Sequence, residues 1–201
     1  GPKFLQASVG FGGSCFQKDI LNLVYISKSL GLNEVAEYWH QVIIMNDHQR
    51  SRFARNIIKS LFNTISGKSI GFLGWAFKKD TNDSRESAAI YVADLLINED
   101  AQIKVYDPKV TVIQMQSDLN YLNTRSEVAN SELLKTEKDP YKALENTHAI
   151  AILTDWDEFK GYDWQRIFDS MQKPAFIFDG RNILDTEKLE EIGFIVNTIG
   201  S

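Results

Sequence analysis

The segment Ser66-Gly67-Lys68-Ser69-Ile70-Gly71-Phe72-Leu73-Gly74-Trp75-Ala76-Phe77-Lys78-Lys79-Asp80 is where the pattern of this chain changes. Before it, apolar residues recur at helical spacing; after it, short apolar runs alternate with amphipathic ones. Ser69 to Leu73 reads as a buried strand, and a helix follows from about Arg85 to Asn98, with Ser84 as its cap. Gln102 to Tyr106 is a second strand, closed by Asp107-Pro108. His148 to Thr154, Ala175 to Asp179 and Phe194 to Ile199 read as further strands. Between them lie a short helix begun by Asp139-Pro140, with proline at its first position, and a helix over Trp164 to Met171. The polar tract from Val110 to Glu137 gives no firm pattern. Strands alternating with helices predict an α/β fold, with a parallel doubly wound sheet over residues 66–201.

In such sheets ligands bind beyond the carboxyl ends of the strands. Polar residues gather there: Phe77-Lys78-Lys79-Asp80, Thr154-Asp155-Trp156 and Asp179-Gly180-Arg181. Each alone reads as a solvated loop; together they outline a pocket whose cations, Lys78 and Arg181, suit phosphates or sugar hydroxyls. Gly71 and Gly74 do not make the G-x-G-x-x-G spacing that cradles a dinucleotide pyrophosphate. Asp107 ends the second strand where a ribose-binding acid could stand, although Asp-Pro is more often a turn. The expectation is a Rossmann-like unit that holds a nucleotide, but not NAD in the standard manner.

Residues 1–65 form a helical segment. From Glu34 to about Phe62 there is neither glycine nor proline, and Asn33 can cap the run. Val35, Tyr38, Trp39, Val42, Ile43, Phe53, Ile57 and Leu61 make one stripe on a helix roughly 43 Å long. Its middle, Asn46 to Arg50, is polar and reads as a solvated turn. Such a helix is either a long core helix or a subunit contact. Upstream lies Ser8-Val9-Gly10-Phe11-Gly12-Gly13-Ser14-Cys15-Phe16-Gln17-Lys18-Asp19. Apolar residues at Leu21, Val24, Tyr25, Ile26 and Leu30 then predict a helix from Cys15 to Leu30, stopped by Gly31. Ser14 and Gln17 have capping-box spacing, which makes Cys15 the first residue inside the helix. There the helix dipole favours a thiolate, the nucleophilic form. Most lone cysteines are small buried residues. The glycine-rich loop before Cys15 and the acid Asp19 one turn after it favour a reactive site.

The chain has 201 residues, a net charge of -5 and a single cysteine. That length can bury a proper core. The acidic balance argues against a nucleic-acid partner. One cysteine excludes an internal disulfide and fits a reducing cytoplasmic setting. No apolar run is long enough for a membrane span and no signal peptide opens the chain, so a soluble intracellular protein is expected. His40, His48 and His148 have no partner spacing for a metal or a Cys-His dyad, which also speaks against a cysteine hydrolase.

The run from Phe4 to Asp19 closely resembles the active-site segment of the UDP-glucose 6-dehydrogenases, a family of nucleotide-sugar dehydrogenases. The resemblance resumes at Gly74 to Thr81 with Arg85-Glu86-Ser87, and again at Phe178-Asp179-Gly180-Arg181. It implies that Cys15 is the catalytic nucleophile and that Asp19 assists it. It also implies that Phe4, Leu5, Gln6, Ala7, Ser8, Val9, Gly10, Phe11 and Gly12 lie along the UDP-sugar, which Phe77, Lys78 and Arg181 contact too. Arg85 would reach an NAD held by a preceding domain that this chain lacks. Animal members often carry Lys where this chain has Gln6, which puts a charge contact there in doubt. The implied reaction is oxidation of UDP-glucose to UDP-glucuronate by two NAD, through a thiohemiacetal and a thioester on Cys15. GDP-mannose and UDP-N-acetylmannosamine are alternative substrates of the class, as is a role confined to nucleotide-sugar binding and oligomerisation. The resemblance further implies a homo-oligomer: a dimer through the long helix, and hexamers with help from a segment that matches Ser60 to Thr64. Beginning so near its proposed active site, the chain reads as part of a longer protein and is expected to be inactive alone.

Overall fold

The computed structural model describes residues 5–200. Six parallel strands form one sheet in the order β3-β2-β1-β4-β5-β6, with β1 Ser69–Leu73, β2 Gln102–Tyr106, β3 Leu134–Thr136, β4 Ala149–Ile152, β5 Phe176–Asp179 and β6 Ile195–Thr198. This is the doubly wound order, and it reverses direction between β1 and β4. The central strands β1, β4 and β5 are buried at every position, as expected for strands covered on both faces. Two helices precede the sheet, α1 Ser14–Ser29 and α2 Asn33–Ser60. The others are α3 Ala88–Ile97, α4 Val112–Tyr121, α5 Glu127–Leu133, α6 Pro140–Leu144, α7 Trp164–Ser170 and α8 Thr186–Ile192.

The featureless tract at 110–137 holds α4, α5 and the edge strand β3. Its helices are capped by Thr111 and Ser126, and each buries only one or two side chains, which leaves little periodicity to read. Helix α8 was also missed by sequence reasoning; it buries Leu189 alone. Three expected caps move. Ser87, not Ser84, caps α3, which starts three residues later than its periodicity suggests. Asn33 is the first residue of α2, and its side chain makes no cap bond. The Ser14–Gln17 capping box does not form: Gly13 is the cap residue, Ser14 is already helical, and Cys15 is the second residue of α1.

One hydrophobic cluster joins the sheet to the C-terminal half of α2, through Phe53, Ala54, Ile57 and Leu61, and to Val9 in the N-terminal loop. The expected stripe on α2 is therefore split. Its C-terminal half is core, whereas Val35 and Tyr38 are exposed. On α1, Ile20 and Val24 are buried while Leu21, Tyr25, Ile26 and Leu30 face outward. The polar middle of α2 is not a solvated turn: Asn46 and Arg50 are 6% and 2% exposed. Among the described residues no helix is long and apolar enough to cross a membrane.

Candidate functional site

The site is built along the loop of residues 5–13, which crosses the carboxyl edge of the sheet. Val9 pins it there. Its side chain is wholly buried, against a space that only glycine leaves at position 180: a Cβ on Gly180 would stand 2.4 Å from Val9 Cγ2 and 2.7 Å from the Ile152 carbonyl. Val9 therefore offers a ligand its backbone and not its side chain. Next to it, the Ser8 hydroxyl donates to the Gly10 carbonyl (2.9 Å) and accepts from Arg181 Nη1 (2.9 Å).

Arg181 is fixed from its own loop. The Asp179 carboxylate, 1% exposed, accepts the amides of Arg181, Ile183 and Leu184 at 2.8–2.9 Å. Arg181 Nη2 also stands 3.1 Å from Asp155, an ion pair that follows β4. Lys79 and Lys160 share Asp157, at 2.6 and 3.1 Å. That pairing raises Lys79 and lowers Asp157 relative to their ordinary pKa values. Lys78 makes no ion pair among the described residues; its ammonium lies 5.2 Å from the centre of the Phe77 ring.

These groups, with Gln6 and Ala7, line a cleft of about 700 Å³. Such a volume suits a small-molecule ligand. It lies between the loops after β1 and β4, at the switch point of the sheet, as doubly wound folds predict. Four cations against two carboxylates leave a positive balance that favours a phosphate-bearing ligand. Leu5 is described and exposed, whereas Phe4 lies outside the described residues.

At its other end the loop delivers the thiol. Gly13 has φ +83° and sits under Phe77, whose ring would be 2.9 Å from any Cβ there; a side chain would be both strained and blocked. The Gly13 amide donates to the Arg85 carbonyl at 2.8 Å. Cys15 then stands exposed in the first turn of α1, its sulfur 3.9 Å from the Ser14 hydroxyl. Asp19, one turn on, is exposed as well. Arg85 is 66% exposed and bound to Asp83 at 2.7 Å; this pair raises Arg85 and lowers Asp83, with Cys15 among the nearby groups that favour the guanidinium charge. The fold thus brings Phe77, Lys78, Arg181, the 5–12 loop, Cys15 and Arg85 to one edge.

Sequence reasoning missed the groups that hold the loop. Asn46 clamps Phe11 from both sides, accepting its amide (2.8 Å) and donating to its carbonyl (3.1 Å). Arg50 donates to the Phe11 carbonyl (3.0 Å) and to that of Glu86 (2.9 Å). The available signal was periodicity: 46, 50, 53, 54, 57 and 61 continue one buried face of α2. Asp107 serves a turn, as Asp-Pro more often does, and not a ribose. One oxygen accepts from the amides of Trp75 and Ala76 and from the Trp156 indole, at 2.7–3.2 Å. The other accepts from the amides of Lys109 and Val110, so both are consumed within the protein.

The comparisons with known proteins agree with this architecture. The family model described as UDP-glucose/GDP-mannose dehydrogenase family, UDP binding domain, matches residues 71–186, and the central domain of the same family matches residues 1–48. UDP-glucose 6-dehydrogenase 5 of Oryza sativa subsp. japonica is 57% identical over 210 residues, covering 100% of this chain and 44% of the relative. UDP-glucose 6-dehydrogenase of Drosophila melanogaster is 57% identical over 201 residues, with 100% and 42% covered. The chain therefore spans less than half the length of these curated relatives. Among solved structures, a UDP-glucose dehydrogenase from Pyrobaculum islandicum superposes with a TM-score of 0.69 at 26% identity, over 97% of this chain and 40% of that one. An NDP-N-acetyl-D-galactosaminuronic acid dehydrogenase from Methanosarcina mazei shares the fold, with a TM-score of 0.75 at 22% identity over 96% and 39%. On the match of its sheet unit and of its Cys15 loop, the chain belongs to the UDP-glucose/GDP-mannose dehydrogenase family.

Proposed function

We propose that this chain is the central and UDP-binding portion of a UDP-glucose 6-dehydrogenase, divided into a helical unit over residues 1–65 and a nucleotide-binding unit over 66–201. The carrying observation is the loop itself: Ser8 is bonded to Arg181 in the cationic cleft, and the same loop ends at the exposed Cys15. In this reading Lys78 and Arg181 hold the diphosphate, Phe77 packs on the sugar side, and residues 5–12 lie along the nucleotide. Cys15 and Asp19 meet the C6 carbon.

NAD would supply the hydride acceptor for both oxidations, of the C6 alcohol to the aldehyde and of the thiohemiacetal to the thioester. The residues of this sheet do not fit a dinucleotide: the glycine fingerprint is missing and the Asp107 carboxylate is spent on backbone amides. What the chain offers NAD is the exposed Arg85. The work of its own residues is covalent. Cys15 sulfur adds to the C6 aldehyde carbon to give a thiohemiacetal, which holds the reactive aldehyde on the protein. After oxidation to the thioester, water attacks the carbonyl carbon, the C–S bond breaks, and the acid leaves as the thiol is restored.

A second copy of the chain fits the outward face of α1 and α2, where Tyr25, Leu30, Tyr38 and Met45 are 61–71% exposed. Phe62, 69% exposed beyond the end of α2, fits a further contact in a larger assembly. A cytoplasmic setting suits the need for a free thiol at Cys15.

Calorimetric titration of this chain with UDP-glucose and with NAD, beside a Lys78→Ala variant, tests the reading. UDP-glucose binds, and the variant binds it roughly tenfold or more weakly, the loss expected for a charge-assisted hydrogen bond. Neither NAD binding nor NADH formation occurs with the chain alone. Equal affinity in the two proteins, or no UDP-glucose binding at all, removes the cleft from the function; NADH formation refutes the missing oxidant site.

A further inference from the structure

The geometry points to Arg50 and Asn46 as positioning residues for the Cys15 thiol, a role that rests on the reading of Cys15 as nucleophile. Arg50 is a guanidinium at 2% exposure. Its one ion-pair partner among the described residues, Asp47 at 3.2 Å, has a side chain that is 60% exposed. A buried charge is costly, and an apolar side chain of similar volume commonly serves stability as well or better. What an apolar residue cannot do is bridge two carbonyls. Arg50 Nη2 donates to Phe11, four residues before Cys15, and to Glu86, the neighbour of Arg85. It therefore ties the loop that carries the thiol to the loop that carries the exposed cation beside it.

The surrounding contacts serve the same junction. Asn46, one turn earlier on the same face of α2, holds the amide and the carbonyl of Phe11. Gly10 lies so close to it that a Cβ would be 2.5 Å from Asn46 Oδ1. The Gly13 amide on the Arg85 carbonyl closes the ring of contacts at 2.8 Å. From the far side, the Tyr91 ring lies 4.0 Å from the Arg50 guanidinium, and its hydroxyl donates to the Glu86 carboxylate at 2.6 Å. Burial and that carboxylate hold the Tyr91 phenol well above its ordinary range, so it stays a donor. Neither Arg50 nor Asn46 lines the cleft formed by Lys78 and Arg181. Arg50 and Asn46 thus act at the Phe11 end of the loop, whereas Lys78 and Arg181 act at the cleft, so different variants probe its two ends.

The test has two arms. In the full-length protein, Arg50→Met and Asn46→Leu are expected to lower kcat for UDP-glucose at least tenfold while KM changes less than threefold. Arg50→Lys, whose ammonium lacks the planar fork, falls between Met and wild type. Lys78→Ala gives the opposite split. In the present chain Cys15 is the only thiol, so its alkylation by iodoacetamide reports on that sulfur alone. The rate is expected to change severalfold in the Arg50 and Asn46 variants and to stay unchanged in Lys78→Ala. Should Arg50→Met fail to fold, Arg50→Lys and Asn46→Leu carry both arms. Unchanged kcat together with an unchanged alkylation rate overturns the inference, as do kcat and KM that worsen together in step with lost thermal stability. If the wild-type protein does not turn over UDP-glucose, the proposed activity fails, while the alkylation arm still decides the positioning role.

Discussion

Asp107→Ala is expected to be among the most damaging single substitutions in this chain, although the residue touches neither the thiol nor the cleft. The side chain is 8% exposed and accepts five hydrogen bonds: the amides of Trp75 and Ala76 and the Trp156 indole on one oxygen, and the amides of Lys109 and Val110 on the other. Trp75 and Ala76 are themselves wholly buried, so their amides gain no water when the carboxylate is removed. A buried donor left unpaired costs about 1–3 kcal/mol. The two amides and the indole together give a loss of roughly 3–5 kcal/mol, allowing for relaxation and for the non-additivity of neighbouring bonds. For a chain of this size that corresponds to a fall in Tm of roughly 6–20 °C. Urea unfolding followed by tryptophan fluorescence is the assay, since two of the four tryptophans are bonded to this carboxylate. A loss below about 1 kcal/mol, or an effect seen only in nucleotide affinity, would refute the structural role and restore Asp107 as a ligand-binding acid.

Two further perturbations probe the loop and the sheet. Gly180→Ala should cost about 1–3 kcal/mol by overpacking, because the new methyl meets Val9 at 2.4 Å and the Ile152 carbonyl at 2.7 Å. It should also weaken UDP-glucose binding by unseating Val9, and Val9→Ala in the same chain should recover part of the loss; undiminished binding in the single variant would count against Val9 as the pin. His148 Nδ1 accepts the Ser69 amide at 3.2 Å, and burial lowers its pKa below the usual histidine value. With the folded pKa below the unfolded one, the unfolded state binds more protons, so this contribution is present above about pH 6.5 and is lost as pH falls through the folded pKa. Melting temperatures at pH 7 and pH 5 should fall less in His148→Asn than in wild type; equal falls would show that His148 does not carry the acid sensitivity.

Much of the fold was legible because its strands are short, apolar and bounded by turn residues. β1, β4 and β5 are buried on both faces, and an uninterrupted apolar run is the pattern that such burial selects. Asp139 before Pro140 obeys local chemistry, a cap followed by proline at the first helical position, so its helix was found. Ser14 shows where local chemistry fails. It has capping-box spacing with Gln17, but the bond between the Gly13 amide and the Arg85 carbonyl, from a segment distant in sequence, places Gly13 in the cap position instead. Arg50 and Asn46 were illegible for the opposite reason. Polar residues on a helix are normally solvated, and only the arrival of the 10–13 loop makes a buried pair there favourable. Asp107 was ambiguous between a turn and a ligand contact until its donors were located in three separate loops.

The glycines of the 8–15 loop have a physical explanation that differs from the one their pattern suggests. A glycine-rich run before a helix invites the view that bare backbone is needed to approach a ligand. Here each site is filled by the protein. A Cβ on Gly10 would meet Asn46, one on Gly12 would meet the Glu86 carbonyl at 2.6 Å and Phe77 Cβ at 2.9 Å, and one on Gly13 would meet the Phe77 ring. The absent side chains let the loop sink between α2, the Glu86 segment and Phe77, where Asn46 and Arg50 satisfy its backbone. A loop seated in this way is held at both ends: Val9 and Ser8 fix it to the cationic cleft, and Gly13 is tied to the Arg85 carbonyl at the base of α1. On the proposed reading of Cys15 as nucleophile such seating matters, since small misplacements of reacting atoms are costly in rate. The glycine pattern before Cys15 is therefore better understood as the imprint of a docking surface inside the protein than as a ligand cradle, and the packed loop is what couples the cleft to the thiol.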